Sequence, residues 1–212
     1  MKFKNRAEAG RMLAQQLGAY KGKDVIVLAI PMGGVPVAYE IARAMNAPLD
    51  VAMAKKIGAP FNPELAIGAV TWNGAVLLDE NMVDKWQISR EYVSETSRKI
   101  IADINENLEE LRAGQGSFPK LYDRTVIIVD DGIATGNTMI AAVEAIRDQG
   151  AEDVVIATPV LPEEMVETMR QVASLVYLEA PDDFEAVGQY YDEFEMTSRE
   201  KVLEFLQLAN SA

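Results

Sequence analysis

Two adjacent carboxylates, Asp130 and Asp131, end an aliphatic run in the stretch VIIVDDGIATGNTM (residues 126–139). Gly132 follows, and then Ala134, Thr135, Gly136, Asn137 and Thr138 lead into a helical pattern. Carboxylates attract hydroxyls and hard cations. Small residues at a helix start attract phosphate, because unpaired amides and the helix dipole both favour an anion there. Successive side chains of an extended chain diverge, so one aspartate can face a ligand while the other orients it or a bound cation. The string therefore suits a ligand that carries both hydroxyls and phosphate. It lacks the lysine of a Walker loop, so a nucleoside triphosphatase reading fails. Taken alone, the two aspartates fit an acidic surface turn equally well.

Two further polar clusters stand at expected strand ends. Gly33 and Gly34 follow DVIVLAI (24–30), where exposed amides ahead of a helix can nest a phosphate. A tight strand-to-helix turn would explain them as well. Lys55 and Lys56 end LDVAMAKK (49–56) and could reach an anion or simply solvate a strand end. Ligands of open α/β sheets bind outside the carboxyl ends of strands, so three polar clusters at such ends are more informative than one.

The elements that must position these residues are readable from the pattern. Asn5 can cap a first helix, with Glu8 at the capping-box position and Met12, Leu13 and Leu17 on one face. DVIVLAI is a continuous apolar run, as a buried parallel strand requires, and Pro36 suits the first turn of the next helix. LDVAMAKK reads as a second strand and KIGAPFNPE (56–64) as a loop. AIGAVTWNGAVLL (66–78) reads as a hairpin around Asn73-Gly74. A long helix is expected from about Ser89 to Arg112. After AGQGSFP come the acidic strand, a helix closed by Gly150, the strand DVVIATPV, a helix started by Pro162, and the strand SLVYL. This order is the grammar of an α/β doubly wound, mostly parallel sheet flanked by helices. One domain over 1–212 is expected, with an insertion at about 71–119 and a small C-terminal hood.

Composition narrows the chemistry. The 212 residues include no His and no Cys. Disulfides, thiol nucleophiles, Cys/His zinc sites and histidine bases are excluded. Carboxylates, lysines, hydroxyls, amides and a hard cation such as Mg²⁺ remain. The net charge of −13 argues against nucleic acid or an anionic membrane as partner. The start MKFKNRAEAG lacks the apolar core of a signal peptide, and the longest apolar run is strand-sized, so a cytoplasmic location is expected.

VIIVDDGIATGNTM resembles the diphosphate-sugar motif of the type I phosphoribosyltransferases. IPMGGVPVAYEIA, KKIGAPFNPELAIGAV and FEAVGQYYDEF are similar to segments of a bacterial group of predicted phosphoribosyltransferases, and together they cover most of the chain. The resemblance implies Mg²⁺-dependent transfer of phosphoribose from phosphoribosyl pyrophosphate to a nitrogenous base or similar small acceptor. It makes Asp130 and Asp131 the catalytic pair, binding ribose hydroxyls and assisting Mg²⁺. The loop of Gly132, Ala134, Thr135, Gly136, Asn137 and Thr138 would hold the substrate, with its 5-phosphate on Thr135 to Thr138. Gly33 and Gly34 would form the pyrophosphate loop, one of Lys55 and Lys56 would face the pyrophosphate, and the enzyme would be a homodimer.

Two positions depart from the pattern. Met32 stands where that group usually has Arg before the two glycines. Ala134 stands where relatives acting on hypoxanthine and guanine have an acid, which argues against those purines. The orotate relatives use a loop histidine, and this chain has none. Phe184, Tyr190, Tyr191 and Phe194 could form a hood that stacks a base or could be core. The alternative function is a non-catalytic sensor of phosphoribosyl pyrophosphate or a nucleotide. A third is hydrolysis with water as acceptor.

Overall fold

The computed structural model describes residues 2–211. Five parallel strands form the central sheet: β1 (Val25–Ala29), β2 (Leu49–Val51), β6 (Thr125–Val129), β7 (Asp153–Val160) and β8 (Ser174–Glu179), in the order β2-β1-β6-β7-β8. Three antiparallel strands, β3 (Ala54–Ala59), β4 (Asn62–Thr71) and β5 (Val76–Leu78), form a second sheet.

The central strands bury both faces, and their alternation assigns each residue to a layer. Val25, Val27, Ala29, Ile127, Val129, Val155 and Ala157 pack with α1 (Arg6–Gln16), α2 (Gly34–Met45) and α7 (Arg199–Asn210). Ile26, Leu28, Val126, Ile128, Val154 and Ile156 pack with α5 (Asn137–Asp148) and α6 (Glu163–Val172). Helices on both faces explain why these strands are uninterrupted apolar runs rather than alternating ones. Strand order reverses between β1 and β6. The doubly wound reading holds, and the crevice at that reversal is where such sheets bind ligands.

The stretch LDVAMAKK is not one strand. β2 stops at Val51, the Ala52 amide makes a last bond to the Ala29 carbonyl at 2.9 Å, and the lysines fall in β3 of the other sheet. Helices flank the central sheet, and lysine side chains are almost never fully buried unpaired, so the chain leaves that sheet before reaching them. The expected loop KIGAPFNPE is instead a bulged hairpin between β3 and β4, with register shifts around Gly58. A Cβ on Gly58 would lie 2.4 Å from the Pro63 carbonyl oxygen, which is why Gly and Pro belong inside a strand pair here.

The Asn73-Gly74 turn joins β4 to β5 as expected, with Gly74 at φ +83°. After α3 (Glu80–Lys85), α4 (Arg90–Leu111) is capped by Ser89, whose hydroxyl accepts the Tyr92 amide at 3.2 Å. Its far end is tied to edge strand β2 by Arg112, which makes two bonds of 2.7 and 2.8 Å to the buried Asp50.

At the other end of the chain, Asn5 caps α1 by accepting the Glu8 amide at 3.1 Å. Glu8 closes back onto the Lys4 amide at 2.6 Å rather than onto the cap residue's own. Phe3 and Lys4 pair with the segment from Tyr190 to Glu193 and bury Phe3 against Tyr191, forming the hood.

Candidate functional site

The carboxyl ends of β1 and β6 bring Gly33, Gly34, Asp130 and Asp131 into direct contact. A Cβ on Gly33 would lie 2.1 Å from Asp131 Oδ2. One on Gly34 would lie 2.6 Å from the Val129 carbonyl oxygen and 3.0 Å from Asp130 Cα. The two glycines therefore have a use the sequence does not reveal. They let the start of α2 lie against the acidic pair with no side chain between. The preceding Pro31–Met32 peptide is cis. Met32 packs partly buried against the core.

The two aspartates differ in environment. Asp131 is buried, and its Oδ2 accepts Arg6 Nε at 2.7 Å, with only 11% of the arginine side chain and 12% of the aspartate side chain accessible. Its backbone carbonyl accepts the Tyr191 hydroxyl at 2.6 Å. Burial, with the charge of Asp131, pushes the Tyr191 hydroxyl well above its ordinary value, so it remains a donor.

Asp130 is half-buried, and its Oδ1 accepts the amide of Asp131 at 2.8 Å. Among the described residues no cationic side chain bonds it. Burial first, and then the neighbouring Asp131 charge, push its carboxyl well above the usual carboxylate range.

Arg6 is the residue that sequence reasoning missed. It lies 125 positions from Asp131, so no local spacing signals the pairing. Its guanidinium also donates from Nη1 to the Glu195 carbonyl at 2.7 Å and lies 4.0 Å from the Phe194 ring centroid. Tyr191 and Phe194 stack at 5.2 Å, so part of the aromatic cluster is packing around this arginine. Phe184 and Tyr190 stack separately at 5.6 Å.

The loop after the aspartates is laid down tightly. A Cβ on Gly132 would lie 2.5 Å from Val187 Cγ1 in the hood. Gly136 has φ +75°, and a Cβ there would also strike the Met165 and Met169 methyls, so glycine is demanded twice. The first helical bond of α5 runs from the Ile140 amide to the Gly136 carbonyl at 2.9 Å. Among the described residues the amides of Thr135, Gly136, Asn137 and Thr138 have no protein acceptor. Ala134, Thr135, Asn137 and Thr138 are exposed. Four free donors at the start of a twelve-residue helix are of the kind that can receive an anion. A hollow of about 260 Å³ between α5 and the β4–β5 hairpin reaches this turn at Asn137 and is otherwise lined largely by apolar residues such as Leu78 and Ile140.

The lysine pair is engaged elsewhere. Lys55 bonds Asp103 of α4, and Lys56 Nζ lies 2.7 Å from Glu64 Oε2 of β4. Neither amine bonds the glycine loop or the acidic pair.

Among the described residues no cluster of three or more acidic side chains could hold a metal unaided. The oxygens of Asp130, with a substrate's own oxygens and water, do fit Mg²⁺, which is commonly held by one or two carboxylates plus phosphate.

The glycine loop, the acidic pair and the free amides at the start of α5 gather around the strand reversal of a doubly wound sheet. The comparisons name the class. Residues 3–195 match the model of the phosphoribosyl transferase domain, and the chain belongs to that family. A Mycobacterium tuberculosis protein provisionally named a phosphoribosyl transferase, from strains H37Rv and CDC 1551 / Oshkosh, is 42% identical over 209 residues. The match covers 98% of this chain and 47% of that protein. The chain thus spans about half the length of these relatives. The crystal structure of TT1426 from Thermus thermophilus superposes with a TM-score of 0.86 at 36% identity, covering 97% of this chain and 98% of that one.

Proposed function

We propose that the protein transfers phosphoribose from phosphoribosyl pyrophosphate to a nitrogenous acceptor and releases pyrophosphate, in a Mg²⁺-dependent reaction. The observation that supports this most is the contact between Gly33-Gly34 and Asp130-Asp131, with the free amides of Thr135 to Thr138 one turn away. One ligand carries groups for all three: pyrophosphate for the glycine loop, ribose hydroxyls for the carboxylates, and a 5-phosphate for the helix start.

In the reaction the bond from the anomeric carbon to pyrophosphate breaks, with its electron pair leaving on oxygen. A nitrogen of the acceptor bonds to that carbon, and its proton passes to solvent water. The carbon becomes cationic on the way. The carboxyl ends of β1 and β6 put a carboxylate near that charge, while the free amides at the start of α5 hold the 5-phosphate, the Gly34 amide being taken by the Ile30 carbonyl at 3.1 Å, so catalysis is positioning and electrostatics with no protein nucleophile. Bound Mg²⁺ would neutralise charge on the departing pyrophosphate.

Exposed Ala134 offers no carboxylate to take a ring proton, so hypoxanthine and guanine are disfavoured as acceptors. The same reading makes the protein a cytoplasmic homodimer.

Isothermal titration with phosphoribosyl pyrophosphate and Mg²⁺, followed by pyrophosphate release over a panel of bases, tests the assignment. Absence of binding refutes it. Tight binding with no turnover across the panel favours the second reading, a sensor, which the uncharged Met32 at the pyrophosphate loop supports.

A further inference from the structure

We propose that Arg6 divides the labour of the acidic pair. It locks Asp131 into a strut that joins α1, the hood and the glycine loop, and it leaves Asp130 as the one carboxylate that meets the ligand. The inference rests on the sugar-diphosphate reading above and refines it.

Asp131 is tied down at its side chain and at its backbone. Oδ2 accepts Arg6 Nε and also occupies the space beside Gly33 that a Cβ would fill. The backbone carbonyl accepts the Tyr191 hydroxyl. Arg6 is fixed in turn, between the Glu195 carbonyl and the Phe194 ring, so it cannot follow a ligand without releasing the hood. Asp130 is the opposite case. It is half-buried, accepts the Asp131 amide, and among the described residues takes no hydrogen bond from a cationic side chain, the Arg6 charge reaching it only through space. Two neighbouring carboxylates cannot both ionise cheaply, and Arg6 offsets one of the two charges. Tyr191, Phe194 and Glu195 belong to the segment beside α7 that pairs with the N-terminus, so the position of Asp131 reports whether the hood is seated. Arg6 and Asp131 are positioning residues in this arrangement.

The test uses the whole chain with phosphoribosyl pyrophosphate as probe, titrated with and without Mg²⁺, and with unfolding temperature as a second, ligand-free readout. Asp130→Asn should weaken binding by more than 100-fold, as expected when a carboxylate contacts the ligand through more than one charge-assisted bond. Arg6→Gln and Asp131→Asn should each weaken it by about tenfold, and the double variant by no more than the worse single, because both remove one strut. Arg6→Lys keeps the charge but cannot serve Asp131 and the Glu195 carbonyl together, so it should fall between wild type and Arg6→Gln.

Additive losses from Arg6→Gln and Asp131→Asn, or an Asp131→Asn loss equal to that of Asp130→Asn with Arg6→Gln unchanged, would overturn the inference. If Arg6→Gln does not fold, wild-type affinity in Arg6→Lys overturns it and weakened affinity supports it. If the wild type binds no phosphoribosyl pyrophosphate, the functional reading fails. Unfolding temperatures then decide the strut alone: non-additive losses between Arg6→Gln and Asp131→Asn support it, and additive losses refute it.

Discussion

Gly33→Ala separates steric design from backbone preference. Gly33 has φ −66° and ψ −33°, an ordinary right-handed conformation that alanine adopts freely. If backbone freedom were the only difference, alanine would stabilise the protein by about 0.4–1 kcal/mol through the unfolded state. The contacts say otherwise. The new Cβ would stand 2.1 Å from Asp131 Oδ2 and 2.6 Å from its Cγ, roughly 1 Å short of ordinary non-bonded contact. The obstacle is a carboxylate held at 2.7 Å by Arg6, not the loose end of a flexible chain. Relief requires moving that carboxylate, which strains or breaks a charge-assisted bond worth about 1.5–3 kcal/mol, or moving the start of α2. Overpacking of this kind costs about 1–3 kcal/mol. For a chain of this size that is a fall of roughly 2–12 °C in unfolding temperature. Both moves disturb the ligand surface, so affinity for phosphoribosyl pyrophosphate should fall by about tenfold or more. Thermal unfolding and isothermal titration on the same preparation give both numbers. A raised unfolding temperature with unchanged affinity would show that Asp131 swings aside at no cost, and the reasoning about the acidic pair would fail with it.

Met32→Arg should tighten inorganic pyrophosphate by about tenfold, since a charge-assisted bond is worth about 1.5–3 kcal/mol; unchanged affinity in titration would mean that Met32 does not face the loop. Pyrophosphate release with hypoxanthine or guanine should be at least ~10²-fold slower than with the true acceptor, the usual worth of a general base, and robust activity with either would refute the reading of Ala134. Asp130 holds its proton to higher pH in the folded chain than in the unfolded one. Stability should therefore fall as pH rises from the ordinary carboxylate range through that raised value and level off above it. Asp130→Asn should flatten that slope and melt higher than wild type at neutral pH in ligand-free unfolding scans. Arg112→Met leaves Asp50 buried without its partner and should cost about 3 kcal/mol in chemical denaturation; a smaller loss than about 1 kcal/mol would mean that water reaches Asp50.

What was legible in the sequence follows from how far each signal reaches along the chain. Strands β1 and β6 are contiguous aliphatic runs because helices cover both faces, so burial wrote itself into consecutive letters. The tight helix start with its unpaired amides was legible because small residues with a left-handed glycine betray it locally. Lys55 and Lys56 read as the end of a central strand because the mostly apolar run LDVAMA continues through a change of sheet, and nothing in those letters marks the exit at Ala52. Arg6 was not legible at all: a guanidinium in the first turn of an amphipathic helix looks like any solvated charge until the hood folds it against Asp131. That contact decides more than the string does. VIIVDDG on a chain without such an arginine would present two carboxyls side by side, with either free to meet a hydroxyl. Here the pair is unequal before any ligand arrives: Arg6 bonds Asp131, and Asp130 is half-buried with no hydrogen bond from a cationic side chain among the described residues. On the proposed function, the local motif speaks for the class of ligand, and a residue 125 positions away for which carboxylate is left to receive it.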